Sequence, residues 1–311
     1  MREICVAGRG SRLAMAQNEL VKALLEKKGY KVRIMTVSTR GDRDRKSAVT
    51  ELGGNGPFVR DVEKVLLTKE ADIAVHCAKD LPYELAPGLC IAGIPDAADP
   101  RDCLIMRRGA AGSSGAVGDR DRKASDGTAV GDRDRKVSDG TAVGDRDLDA
   151  SDGKAAIQPP RPLVIGTGSP RRIRQLQKLY AGEKAELEFR EIRGNITTRL
   201  DKLRRGEYHG IVLAKAGLDR IGADLRDLDV RVFEPEEMIP AVGQGLLACE
   251  CREEDMEIRA LLESLTPPQN ALRYQVEREL FCRYRCDCRS AVGIYARIST
   301  AGTELFVMCE E

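Results

Sequence analysis

Tryptophan is missing from this 311-residue chain, and all aromatic residues together make up only 4% of it. Proteins that hold single-stranded nucleic acid stack its bases on aromatic rings, so that class is poorly served here. An excess of either charge is missing as well. Lys plus Arg number 51 against 50 Asp plus Glu, which leaves no global field to gather nucleic acid or a membrane surface. No run approaches the roughly 18 apolar residues of a membrane span. The opening Met1-Arg2-Glu3-Ile4-Cys5-Val6-Ala7 is too short for the apolar region of an export signal and has no cleavage site. A cytoplasmic protein is therefore expected. There are only two histidines, His76 and His209. They stand too far apart for a local metal motif, and no serine elbow accompanies either of them. No metal is expected.

Ten cysteines are present. Without an export signal they read as free thiols, some of them available for chemistry. Cys249-x-Cys251 and Cys286-x-Cys288 could be paired as a zinc site, but one-residue spacing across two distant pairs is foreign to zinc ribbons. Cys249 and Cys251 read instead as strand residues, expected on opposite faces. Cys288 differs from the rest. It precedes the Gly-aromatic strand Gly293-Ile294-Tyr295 at a fixed distance, where it could tether a ligand covalently.

Short apolar strands alternate with amphipathic helices along most of the chain. Ile4-Cys5-Val6-Ala7, residues 32–37, 73–76, 163–166, 187–190 and 210–214 read as strands. Residues 13–28, 59–67, 171–180, 196–204 and 271–283 carry helical spacing. That alternation predicts two α/β blocks with parallel sheets, followed by a small α+β unit. The expected division is 1–100 with 244–264, then 101–243, then 265–311. Residues 116–154 interrupt the pattern with three 13-residue repeats holding ten Asp and eight Lys plus Arg. Such a segment buries too little apolar surface to offset its ordering entropy, and it reads as a flexible insert within 109–160. Its alternating Asp suggests calcium, yet it lacks both the closing Glu of an EF-hand and the glycine nonapeptide pattern.

Four turns carry chemistry. Gly8-Arg9-Gly10-Ser11-Arg12 joins a strand to a helix. Its glycines allow close backbone approach, the helix start offers N–H groups to an anion, and Arg9 adds a fork suited to a carboxylate; Ser11 could also be a plain N-cap. At Val75-His76-Cys77-Ala78-Lys79-Asp80 a strand ends where open α/β sheets bind ligands. Asp80 could act there as general acid/base or stabilise a developing cation, and a simple Lys-Asp surface turn is the alternative. Gly166-Thr167-Gly168-Ser169-Pro170-Arg171-Arg172 puts two arginines in the first turn of a helix, against its dipole, a cost that an anion would relieve. Arg193-Gly194-Asn195-Ile196-Thr197-Thr198-Arg199 repeats the pattern. Together these turns predict a small molecule with several carboxylates.

These motifs, taken in order with Thr39-x-Gly41-Asp42, Phe58-Val59, Arg101-Asp102, Ala216-Gly217-Leu218-x-Arg220, Pro240-Ala241-Val242-Gly243-Gln244-Gly245, Glu250-Cys251-Arg252, and Glu277-Arg278 eleven residues before Cys288, resemble the porphobilinogen deaminase (hydroxymethylbilane synthase) family. The resemblance implies two lobes like periplasmic binding proteins and a third α+β domain. It also implies a dipyrromethane cofactor on Cys288 that primes the stepwise addition of four porphobilinogen units. Each addition releases ammonia, and hydrolysis then frees the linear bilane. By the same resemblance the chain is a transferase and Asp80 its catalytic carboxylate. Arg9, Ser11, Lys79, Thr167, Ser169, Arg171 and Arg172 would bind the cofactor, and Arg193, Arg199 and Arg220 the substrate. Residues 39–57 would form a lid and the Gln244-Gly245 segment a hinge. The expected protein is a monomer, without nucleic-acid or membrane partner, coupled functionally to uroporphyrinogen III synthase. Three departures stand out. Cys286-Asp287 replaces the family's two glycines, Ala291 stands where the family has proline, and the chain stops soon after, so a curtailed third domain is expected. A non-catalytic or degenerate two-lobed anion-binding protein is the rival expectation.

Overall fold

The computed structural model describes residues 2–38, 59–82, 84–108, 162–183, 186–283 and 291–310. The expected lid (39–57), the repeat insert and Cys286 to Cys288 lie outside the described residues. The first sheet has the order β2-β1-β3-β10-β4. Its strands are β1 (Glu3–Arg9), β2 (Lys31–Val37), β3 (Ile73–Cys77), β4 (Leu89–Ala97) and β10 (Leu246–Arg252). β1 is an interior strand covered on both faces, which is why Ile4, Cys5, Val6 and Ala7 form an unbroken apolar run. Helix α1 (Arg12–Lys27) leaves β1 directly, and Ser11 Oγ caps it by accepting the Ala14 N–H at 3.3 Å. Helix α2 (Arg60–Leu67) packs Val62 and Leu66 against the other face.

The second sheet repeats the plan. It contains β5 (Asp102–Arg107), β6 (Leu163–Gly166), β7 (Leu187–Arg190), β8 (Gly210–Ala214) and β9 (Leu228–Val232), in the order β7-β6-β8-β5-β9. Helices α3 (Pro170–Leu179), α4 (Ile196–Arg204) and α5 (Lys215–Arg220) follow β6, β7 and β8. In both sheets three parallel strands are followed by one antiparallel strand and then an outer strand. The antiparallel members, β10 and β5, pair with β3 and β4, and with β8 and β9. Each is the strand by which the chain enters that sheet from the other lobe. The expectation of purely parallel sheets is therefore corrected to mixed α/β sheets. The direction of β5 and β10 is set by the two interlobe crossings, which local side-chain patterning does not encode.

The return crossing is shaped by glycine. Gly243 and Gly245 have φ of 67° and 91°. A Cβ on Gly245 would lie 2.4 Å from the Ala98 carbonyl oxygen of the outgoing crossing. The two crossings thus lie back to back at the base of the lobes. Cys249 and Cys251 do lie in a strand, β10, but both face the same core cluster as Leu247. Residues two apart in a strand share a face, so the expectation of opposite faces was mistaken. Among the described residues Cys5, Cys77, Cys90, Cys103, Cys249, Cys251, Cys282 and Cys309 are free thiols.

Helix α6 (Met256–Ser264) and helix α7 (Pro268–Arg283) follow, then the hairpin β11 (Ala291–Ser299) and β12 (Gly302–Glu310). Glu277 of α7, fully buried, fastens three segments together. Its Oε2 accepts the Gly243 N–H at 2.6 Å, and its Oε1 accepts from Ala296 N at 3.0 Å and Arg273 Nε at 2.7 Å. Arg273 Nη2 donates in turn to the Gln244 carbonyl at 2.7 Å. The interlobe crossing, α7 and β11 thereby share one buried ion pair.

Candidate active site between the two lobes

The chemistry-bearing turns converge because each follows the carboxyl end of a parallel strand, and the two lobes face each other along that edge. The lobes touch there: Arg12 Nη2 donates to the Ile221 carbonyl at 2.8 Å. On the first lobe, Arg9, Ser11, Gln17, Val59, His76, Cys77 and Asp80 line a hollow of about 70 Å³ that opens to solvent. Asp80 ends a single 3-10 turn after β3 and is exposed. Lys79 beside it is half-buried, its Nζ 3.5 Å from Gln244 Oε1. Burial pulls the Lys79 ammonium below its ordinary value, Asp80 works against that, and Arg172 adds to it.

On the second lobe, Arg171 and Arg172 are buried at the start of α3. Both clasp Asp102, with Arg171 Nη2 and Arg172 Nη2 each 2.8 Å from a different carboxylate oxygen. Arg171 also donates to the Ile239 carbonyl at 2.6 Å, and Arg172 to that of Val212 at 2.8 Å. Burial would raise the Asp102 carboxyl, but Arg171, Arg172 and Lys79 outweigh it and hold it at about 2. The anion that two arginines at a helix start call for is thus supplied from within, by the first residue of β5. One carboxylate balances only one of the two guanidiniums, so the clasp leaves positive charge facing the cleft.

Thr167 is buried, its Oγ1 accepting the Ser169 N–H at 3.2 Å. Ser169 is the N-cap of α3 without spending its hydroxyl on a cap bond, which leaves that hydroxyl available to a ligand. Arg199 Nε donates to the Gly194 carbonyl at 2.7 Å. Burial, with Arg172 alongside, pulls its guanidinium below the ordinary value, and the Asp80 charge opposes this. Asp80 and Arg199 thus sense each other across the cleft although they belong to different lobes. Arg193 pairs with Glu191 at 3.0 Å. Arg220 instead reaches back to the first lobe, where its Nη2 donates to Asp96 Oδ2 at 2.6 Å and to the Gly245 carbonyl at 2.7 Å. In this structure it braces the two lobes.

The predicted residues Arg9, Ser11, Lys79, Asp80, Thr167, Ser169, Arg171, Arg172 and Arg199 gather at this edge, with Arg193 and Arg220 at its margins. Cys288 lies outside the described residues, but the strand after it does not. Ile294 N donates to the Pro240 carbonyl at 3.1 Å, and Gly293 packs directly on Ile239, whose carbonyl Arg171 holds. Asp102, Gln244, Asp96 and the Ile239 carbonyl were not recognised in the sequence as parts of the site. The pair Arg101-Asp102 and the run Pro240 to Gly245 were the available signals, and neither had been assigned to the site.

A two-lobed mixed α/β protein emerges, with a cleft where cations of both lobes gather near the exposed carboxylate of Asp80. That donor set suits a small polycarboxylate. A family model described as porphobilinogen deaminase, dipyromethane cofactor binding domain, matches residues 4–131 and 135–260. The chain is 34% identical over 313 residues to the porphobilinogen deaminase of Streptococcus sanguinis, covering 99% of this chain and 86% of that one. It is 35% identical to that of Gloeobacter violaceus, covering 97% and 78%. It therefore belongs to the porphobilinogen deaminase family. Among solved structures it is similar to a Salmonella typhimurium periplasmic binding protein of high arginine specificity, with a TM-score of 0.40 and 8% identity over 88% of this chain and 97% of that one. At that level the likeness carries no argument, and the two-lobed architecture rests on the matched strand orders above.

Proposed function

We propose that this protein is a hydroxymethylbilane synthase, a transferase that joins porphobilinogen units head to tail on a covalently held primer and releases a linear tetrapyrrole. The observation that carries the proposal is an exposed carboxylate, Asp80, at an edge where cations of both lobes gather. The donor chemistry fits a dipyrromethane, whose acidic side chains need several cations and whose ring N–H groups need an acceptor. When bound, that group supplies the pyrrole terminus on which new carbon–carbon bonds form.

In this proposal Arg9, Ser11, Lys79, Thr167, Ser169, Arg171 and Arg172 hold the cofactor's acetate and propionate groups. Arg193 and Arg199 orient those of the incoming substrate, and Arg220 joins them when its brace to Asp96 opens. Asp80 accepts from pyrrole N–H groups and stabilises positive charge as ammonia leaves, an electrostatic role that gains strength when the lobes exclude water. Cys288 is the tether, and Cys286 the competing thiol two residues before it. We further propose the three-domain division given above, a cytoplasmic monomer, and transfer of its linear product to uroporphyrinogen III synthase.

Asp80→Ala should retain the fold and lower kcat for ammonia release from porphobilinogen by about 10²–10⁴-fold, the usual range for a positioned acid–base group. The check is ammonia and bilane measured together. A wild-type protein that binds porphobilinogen but releases neither would instead support a non-catalytic binding protein.

A further inference from the structure

Behind Asp80 lies a buried titratable cluster that the site described above does not use. His76, on the strand leading to Asp80, forms part of the wall of the same hollow. Its side chain is 5% exposed, and its Nε2 lies 3.0 Å from Glu250 Oε2 on β10, a side chain with no exposure at all. Glu250 Oε1 has no hydrogen-bond partner among the described residues. No lysine or arginine ion pair with Glu250 is seen among them. A second carboxylate, Glu63 of α2, is buried nearby and accepts the Ala86 N–H at 3.3 Å. Burial raises the Glu63 carboxyl first and the Glu250 charge adds to it, while Ala86 N–H, His76 and Arg60 lower it. From α7, Tyr274 faces the cluster; burial drives its hydroxyl up to about 12, Arg278 lowers it and Glu250 raises it. On the strand itself the neighbouring groups are Cys77, Lys79 and Asp80.

An ionised carboxylate buried without a strong cation is costly. His76 Nε2, 3.0 Å from Glu250 Oε2, is the partner the structure gives it. The pair is a dyad with one end sealed in the core and the other, through His76, at the hollow, placed to take up a proton. Joining two pyrroles requires such an acceptor. A bond forms between the incoming methylene carbon and the free ring carbon of the terminal pyrrole, and the bond from that methylene to ammonia breaks. The ring carbon then gives up its hydrogen as a proton, its bonding pair restoring the aromatic ring.

We propose that His76, held by Glu250, receives this proton at the wall of the hollow and passes it to the departing ammonia, which leaves as ammonium. Asp80 is thereby free to remain an anion throughout. Glu250 is a positioning residue that sets the ring orientation and stabilises the imidazolium. This rests on the hydroxymethylbilane synthase reading.

The test uses the loaded enzyme with porphobilinogen, unlabelled and deuterated at its free ring carbon. His76→Gln and Glu250→Gln are compared with wild type for thermal midpoint, enzyme-bound adducts by intact mass, kcat and KM. The expected result for His76→Gln is a retained fold and adduct series, kcat lower by about 10²-fold with KM little changed, and a deuterium effect larger than in wild type. In His76→Ala, imidazole and its methyl derivatives should restore the rate in order of their basicity, which a structural role would not produce. A normal adduct series in His76→Gln with wild-type kcat and deuterium effect would overturn the relay alone. A kcat loss matched by a fall in thermal midpoint, with no basicity order in the rescue, would do the same. Should wild type itself form no adduct, the deaminase reading falls, and this inference with it.

Discussion

Asp102 decides how the arginine pair behaves. Two guanidiniums buried at a helix start would repel each other and the dipole, and a carboxylate inside their fork turns that liability into a rigid cationic wall. The clasp has a pH signature. The Asp102 carboxyl sits at about 2 against an ordinary 3.8. A lowered folded value contributes stability that is present above the unfolded value and is lost as pH falls through the folded one. The shift corresponds to about 2 kcal/mol, lost progressively between roughly pH 5 and pH 2. Urea midpoints measured across that window should show the loss in wild type and a flatter profile in Asp102→Asn. That variant should also be less stable near pH 7 by about 3–5 kcal/mol, because buried charges lose their partner. Arg171 and Arg172 stood out in the sequence because a glycine-bearing turn marks their strand end, whereas Asp80, in a turn without glycine, stood out only by its place after a strand and by the family resemblance. Asp102 was not, since it stands 70 residues from Arg172 and only the fold brings them together.

At the scale of elements, strands announced by continuous apolar runs, such as β1 and β6, were legible, as were α4 and most of α1. β4, β5 and β9 were not read from the sequence. β9 offers only the short alternation Leu228-Asp229-Val230-Arg231-Val232, and β5 leads straight toward the repeat insert. The antiparallel sense of β5 and β10 follows from connectivity that no local pattern carries. Those connections demand glycine at one place above all. Gly245 combines a left-handed φ with backbone 2.4 Å from where a Cβ would stand, so Gly245→Ala should cost at least the 1–3 kcal/mol typical of such strain. Urea unfolding of the variant measures it, with Gly182→Ala as control. Gly182 also has positive φ, but no atom lies within 4 Å of its Cβ position. The expected excess at Gly245 is therefore the clash alone.

At the scale of the whole molecule, the site exists only where two lobes meet, and two crossings plus a few polar contacts set that meeting. Arg220 is one of these contacts, with Asp96 and the Gly245 carbonyl on one nitrogen. Arg220→Ala should leave each lobe folded while loosening their approach. The expected outcome is a larger radius of gyration in X-ray scattering and a raised KM for porphobilinogen, with each sheet's amide-exchange protection retained. The central claim is that this cleft serves a primer tethered to Cys288. Intact mass under denaturing conditions, wild type against Cys288→Ser, tests it most directly. The account predicts a dipyrromethane-sized excess in wild type that disappears in the variant. An excess that persists in Cys288→Ser would contradict the tether, and no excess even after incubation with porphobilinogen would contradict the function itself.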